Sequence, residues 1–410
     1  MLSPVGAAAK IVFLTGAGAS VALGLPDTKQ FLDSFFIEEE PRLAAADADL
    51  LPYLEDLRVL AVNGLWDAEK LIDVLDGDRT AADRLMAQPH FVSRVLAGNP
   101  LLFGPFVAQT DTILQAVKDK VVEAYTEVDP FDAARLYRPI LQSFPDWFAE
   151  IPELGTTLLF FTLNYDLAIE AAASLLQGPD PKNFPGRAVR LIDGLVHDEP
   201  GATGPRWSRR AFEEFQEDPG KANVVLVKLH GSVRWGQGAA DEIVQLADGV
   251  GRDPGRFQTL ILYPTEGPKP IAAEPFHTAY RLFRASLGHA RLLVAIGTSF
   301  RDAELVQELC DAVEDNPGLH VVTVGPSQKH DALARRLGVP TRRVAALQAE
   351  FTFPAQGTYD PPGQATASSL MEALREFALT VYDVRHHPGS VAFGSTYLLN
   401  AKGRWQEVAG

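Results

Sequence analysis

Residues Ile11–Ser20 read IVFLTGAGAS: four apolar residues and a threonine run into two glycines spaced by alanine. A continuous apolar run that ends in glycine predicts a buried strand turning directly towards a helix. Two explanations stand for the bare turn. Either strand and helix pack so closely that no side chain fits, or the backbone is kept open for a phosphate. In the second case the amides of Gly16 and Gly18 face an anion near a helix N-terminus, and Ser20 adds a hydroxyl.

Four further stretches repeat the pattern of an apolar run with a polar or glycine-rich end. They are TLLFFTLNYD (157–166), NVVLVKLHGS (223–232), LLVAIGTS (292–299) and HVVTVGPS (320–327). Runs of this kind predict parallel strands buried on both faces, so the expected fold is α/β, a Rossmann-like parallel sheet with helices on both faces. Every residue able to do chemistry falls just past the last apolar residue of a strand. Open α/β sheets bind ligands at that edge.

About 115 residues separate the first two strands and read as helix: WDAEKLIDVLDG and DTILQAVKDKVVEAY carry apolar residues at three- and four-residue spacing. LAAADADLLPYLEDLRVLAV reads similarly, with a break at Pro52. The expected organisation is a catalytic domain from 1–35 and 151–352, a large helical insertion over 36–150, and a small C-terminal element over 353–410 that fits an interface or a flap. The Pro/Gly-rich span 178–207 reads as surface chain, and the tail opens with the linker-like FPAQGTYDPPGQ before an amphipathic helix, SLMEALREFALTVYDV.

Composition narrows the function. A net charge of −16 disfavours a broad nucleic-acid face, because phosphates reward Lys and Arg; RWSRR (206–210), the most basic stretch, reads as a solvated loop. The single cysteine, Cys310, excludes an intrachain disulfide or a thiolate zinc cluster and reads as a small buried hydrophobe. No apolar run reaches the ~20 residues of a membrane helix, and the first ten residues leave no room for a signal peptide, so a soluble cytoplasmic protein without metal is expected.

At the strand ends, Asn164 and Asp166 stand two apart in TLNYD. The amide suits holding a water or a sugar hydroxyl, while the carboxylate serves equally as a helix cap or as a stabiliser of positive charge. His230 in KLHGSVRW can take a proton near neutrality. In IGTSFRDAEL, Gly297 admits a ligand while Thr298 and Ser299 offer hydroxyls, and Asp302 reads as a helix cap. A hydride-transfer dehydrogenase is disfavoured, since Val21 replaces the third glycine of the dinucleotide fingerprint and no strand ending in Asp or Glu follows ~20 residues later.

These four motifs in this order resemble the sirtuin family. GAGAS with GLPD is similar to its nicotinamide-cofactor loop, TLNYD to its TQNID, KLHGS to its catalytic-histidine segment and IGTS to its GTS strand end. The four zinc cysteines of the deacetylating members are missing, and Thr28-Lys29 replaces their Phe-Arg. Tyr165, SFRD after IGT, WDAEKLIDVLDG and LYPTEGPKP instead resemble a bacterial sirtuin-like branch of NAD hydrolases in antiphage defence.

That resemblance implies NAD as substrate, cleaved between ribose and nicotinamide. Asn164, Asp166 and His230 would be the catalytic residues. Gly16, Ala17, Gly18, Ser20, Gly297, Thr298 and Ser299 would hold the pyrophosphate and a ribose, with Pro26, Asp27 and Thr28 on the nicotinamide side. The helical insertion and the C-terminal tail, surplus to the catalytic sheet, predict a homo-oligomer or a partner subunit, and the resemblance puts a HerA-like ATPase ahead of a short Argonaute or another sensor as that partner. ADP-ribosyl transfer, deacylation, and NAD or ADP-ribose sensing without turnover are the rival functions.

Overall fold

The computed structural model describes residues 11–63, 66–86, 103–147, 157–178, 186–196, 204–238, 242–246, 258–263, 271–352, 364–381, 393–399 and 405–408. The chain packs as two compact units. The first takes in residues 1–25, 127–261 and 270–410, and the second residues 26–126 and 262–269.

A nine-stranded sheet organises the first unit. Its strands are β1 (Ile11–Thr15), β2 (Thr157–Thr162), β3 (Val189–Ile192), β4 (Ala222–Lys228), β5 (Leu292–Ile296), β6 (His320–Val324), β7 (Val344–Gln348), β8 (Thr396–Leu399) and β9 (Trp405–Glu407). The spatial order is β9-β8-β7-β6-β5-β1-β2-β4-β3, parallel throughout except for the antiparallel β8–β9 pair. The five runs read as strands thus form the contiguous block β6-β5-β1-β2-β4.

Alternate residues of each run serve opposite faces, as a pleated strand requires. Phe13, Phe160 and Leu226 join one buried cluster with residues of the helices Pro130–Leu141, Ala168–Leu176 and Ala367–Val381. Leu14, Phe161 and Val227 join another with residues of the helices Phe276–His289, Ala303–Asp315 and His330–Arg336. With both faces covered, neither can be polar, which is why the runs lack alternation.

The chain passes outward from β1 through β2 to β4, then returns beside β1 as β5 and continues to β6 and β7. The order therefore reverses between β1 and β5, the place where such sheets form their ligand crevice. Register aligns Val324, Ile296, Thr15, Thr162 and Lys228 in one row across five strands. GAGAS, TLNYD, KLHGS and IGTS all begin at or just beyond that row.

Several expectations need correcting. The helix Pro130–Leu141 belongs to the first unit, with Tyr137 and Ile140 buried in the cluster on Phe13, so the boundary lies at 126/127 rather than 150/151. The other boundary lies at 25/26, not 35/36, because the helix Thr28–Ala46 packs with the second unit. The tail beyond 353 forms no separate element: β8 pairs with β7 and extends the main sheet. The span 178–207 supplies β3 and two short strands of a separate five-stranded sheet, Leu195–Val196 and Arg206–Trp207. RWSRR thus runs from the second of these strands into a short helix, Arg210–Glu213, with its three arginines exposed and Arg209 paired with Glu213 at 2.9 Å.

In the second unit the break between helices falls at Asp47–Leu50 rather than at Pro52. Pro52 occupies the first turn of the helix Leu51–Asn63, where its missing N–H leaves no bond unmade. WDAEKLIDVLDG and DTILQAVKDKVVEAY lie in the helices Ala68–Met86 and Phe103–Thr126. Among the described residues no helix is long and apolar enough to cross a membrane. FPAQ to PPG of the tail (353–363) and PTEGPKP of LYPTEGPKP lie outside the described residues. Cys310 is half-buried, with its sulfur 3.8 Å from the Arg336 carbonyl.

Candidate active site

The turn after β1 answers the question its glycines raise. The Gly16 amide donates to the Ile296 carbonyl and the Gly18 amide to the Gly297 carbonyl, each at 3.0 Å. The Ala19 and Ser20 amides close on Gly16 and Ala17 within the turn. A Cβ on Gly16 would sit 2.9 Å from the Gly297 carbonyl oxygen, and one on Gly297 only 2.3 Å from the Ala19 nitrogen. The three glycines interlock two strand ends at the reversal point. Close packing therefore explains them, and the amides of Gly16 and Gly18 are not turned towards an anion. Two 3₁₀ turns follow, Ala17–Ala19 and Val21–Leu23, so no α-helix N-terminus backs this loop.

Asn164 stands two residues beyond Thr162 on β2, and His230 two beyond Lys228 on β4; Thr162 and Lys228 are register partners. The two segments are laced by Leu229 N–H to the Thr162 carbonyl (2.9 Å) and Val233 N–H to the Tyr165 carbonyl (3.0 Å). The Asn164 side-chain amide donates to the Gly16 carbonyl at 3.0 Å and to Ser20 Oγ at 3.1 Å. Its backbone N–H donates to Thr162 Oγ1, which also accepts from Thr15 Oγ1. Both side-chain donors are thus committed, and the Oδ1 oxygen is what the amide has to offer. Ser20 is 2% exposed and holds Asn164.

His230 is buried, and its Nε2 lies 2.7 Å from Asp302 Oδ2, with the Tyr280 hydroxyl 3.4 Å from the same nitrogen. A carboxylate there keeps the proton on Nε2, which puts the basic lone pair on Nδ1. Burial, with Asp302, Glu304 and Glu308 nearby, pushes the Tyr280 phenol far above its ordinary range, so it stays protonated. Asp302 is also the expected cap of the helix Ala303–Asp315, its Oδ1 accepting from Leu305 N–H at 2.9 Å. Its second role was missed because no spacing rule links residues 230 and 302.

Other expected site residues are placed differently. Asp166 is 4% exposed and accepts from Ala168 N–H at 2.9 Å, standing one residue before Leu167, the N-cap of the helix Ala168–Leu176. Thr298 is buried with its carbonyl bonded to Gln328 Nε2, whereas Ser299 is exposed. Phe300 follows with φ 54, a left-handed backbone that is costly for a bulky residue and turns the chain towards Asp302. Pro26, Asp27 and Thr28 belong to the second unit. There Asp27 caps the helix Thr28–Ala46 in a reciprocal capping box with Gln30, and the Pro26 carbonyl accepts from Tyr125.

No curated protein sequence matches the chain. It is similar to the solved structure of a mutant Sir2 homologue in complex with 2'-O-acetyl ADP-ribose, at 13% identity and TM-score 0.37, covering 94% of this chain and 97% of that one. A Sir2 homologue in complex with NAD is similar at 13% identity and TM-score 0.39, covering 93% and 94%. Residues 158–339, which carry Asn164, His230, Gly297 and Asp302, match the family model of the SIR2-like domain. Over those residues the chain therefore carries a SIR2-like domain.

Proposed function

We propose that this chain hydrolyses NAD at the N-glycosidic bond between nicotinamide and ribose. One observation carries the reading: an amide and an imidazole stand at equal offsets past paired residues of neighbouring strands, and each is fixed by a further partner. The carbon–nitrogen bond breaks with its electron pair passing to the ring nitrogen, which neutralises the pyridinium. Positive charge grows at the anomeric carbon, and water adds there, as in other glycosidic cleavages. Asn164 Oδ1 would accept a hydrogen bond from that water or from a ribose hydroxyl. His230 would take the proton the water releases, an effect usually worth about 10²–10⁴-fold.

Ala17, whose amide opens the turn, and the Ser299 hydroxyl would meet the polar groups of the dinucleotide around Gly16, Gly18, Gly297 and Thr298. Asp166, held by Ala168 N–H, would orient the site or steady the cationic sugar. The resemblance to the bacterial branch supports a role in antiphage NAD depletion, as an oligomer with a HerA-like ATPase.

The test is nicotinamide release from NAD by purified protein, alone and with the ATPase. Asn164→Ala and His230→Ala should each abolish release while the melting temperature stays within a few degrees. Full activity in both variants removes the assignment. Tight NAD binding without nicotinamide release under either condition would favour a sensor instead, and label transferred from NAD to protein would favour ADP-ribosyl transfer.

A further inference from the structure

We propose that Lys228 is a positioning residue for Asn164, its ammonium clamping the 164–166 turn from beneath; this rests on the NAD-cleavage reading. Lys228 is the last residue of an otherwise apolar strand save Asn223, and its side chain is 3% exposed. The ammonium meets three oxygens: Glu170 Oε1 at 3.0 Å, the Asn164 carbonyl at 3.5 Å and, in a short contact, the Asp166 carbonyl. A lysine has three donors, and this arrangement uses them all. Two of the three oxygens are main-chain atoms of the turn that carries Asn164.

The pair is a poor device for stability alone. Removing two charges from water generally offsets their attraction, and apolar side chains of similar volume serve a core as well. Here the mismatch is visible. Burial pushes the Glu170 carboxyl above its usual range against the opposing pull of Lys228, and Glu170 Oε2 has no hydrogen-bond partner among the described residues. What the ammonium adds is directional: it fixes two carbonyls of one turn. Together with Thr162 on the amide N–H and Gly16 and Ser20 on the side chain, it holds Asn164 on each of its polar groups but Oδ1.

The test is the double variant Lys228→Met/Glu170→Leu, which leaves no buried charge unpaired. Lys228→Arg, which keeps the cation, is the second variant. Measured are the melting temperature, amide hydrogen exchange over residues 163–168, and kcat and KM for NAD. The double variant should melt within a few degrees of wild type and lose exchange protection over 163–168. Its kcat should fall at least about tenfold with KM within threefold, as misplacement of a catalytic group predicts. Lys228→Arg should recover part of both losses. Unchanged exchange over 163–168, or kcat within twofold of wild type, in the double variant overturns the clamp, as does a Lys228→Arg protein that loses as much exchange protection and kcat as the double variant. If wild-type protein releases no nicotinamide, the NAD reading fails by itself, and exchange alone then decides on Lys228.

Discussion

Asp302 Oδ2 lies 2.7 Å from His230 Nε2 while the other oxygen of the same carboxylate caps a helix. One residue therefore ties the end of β4 to the helix that follows β5. Asparagine caps a helix about as well as aspartate but carries no charge, so Asp302→Asn separates the two roles. We expect the variant to keep its melting temperature and its KM for NAD while kcat falls about 10²–10⁴-fold, the usual span for loss of proton transfer by a correctly held imidazole. Steady-state kinetics check this. A wild-type kcat would leave Asp302 as a cap only.

The glycine interlock predicts a stability difference between two substitutions of the same kind. Gly297 and Gly338 have nearly equal φ, +64 and +65, but a Cβ at Gly338 meets nothing within 4 Å. Gly338→Ala should therefore cost only the left-handed backbone, about 1–2 kcal/mol. Gly297→Ala adds a collision with the Ala19 nitrogen and should cost at least about 2 kcal/mol more. Urea unfolding of the two variants measures the difference, and equal losses would mean that the β1 and β5 ends are not interlocked.

What could be read from the chain follows from what each residue type constrains. Continuous apolar runs mark strands covered on both faces, so the block β6-β5-β1-β2-β4 and the edge at which Asn164 and His230 stand were legible. The short edge strands were not: β8 and β9 are too brief to show a period, and β3 lies in a span whose prolines and glycines suggest loop. A glycine reports only that a side chain cannot fit. The sequence could not show that what excludes it at Gly16 is Gly297, rather than a phosphate. Helical periodicity shows that Pro130–Leu141 has a buried face, but not which surface covers it. Lys228 did carry a signal, a cation closing a buried strand, whereas the pairing of Asp302 with His230 exists only in three dimensions.

Tyr137 joins the core to the β1 turn, its buried hydroxyl donating to the Ala19 carbonyl at 2.9 Å. Burial first, and then Asp166, pushes the phenol far above its ordinary range. A folded value above the unfolded one gives stability that is present below about pH 10 and is lost as pH rises towards the folded value. Tyr137→Phe should cost about 1–3 kcal/mol at pH 7, because a buried carbonyl loses its donor. It should also flatten the alkaline limb of the stability profile. An unchanged limb would show that Tyr137 does not ionise on unfolding in that range.

His320 opens β6 against Phe393, with ring centroids 4.5 Å apart, and its Nδ1 is 3.1 Å from the Gly318 carbonyl. Burial lowers its tendency to protonate, the Gly318 carbonyl opposes that, and Arg343 and Arg291 reinforce it. The unfolded chain takes up a proton near pH 6.5 while the folded protein resists, so stability declines as pH falls from there towards the folded value. His320→Phe keeps a ring against Phe393 and has nothing to titrate. Unfolding free energies at pH 7.5 and pH 5.5 should therefore diverge more in wild type than in the variant. The same decline in both proteins would assign the acid sensitivity to other groups and leave His320 a packing residue at the start of β6.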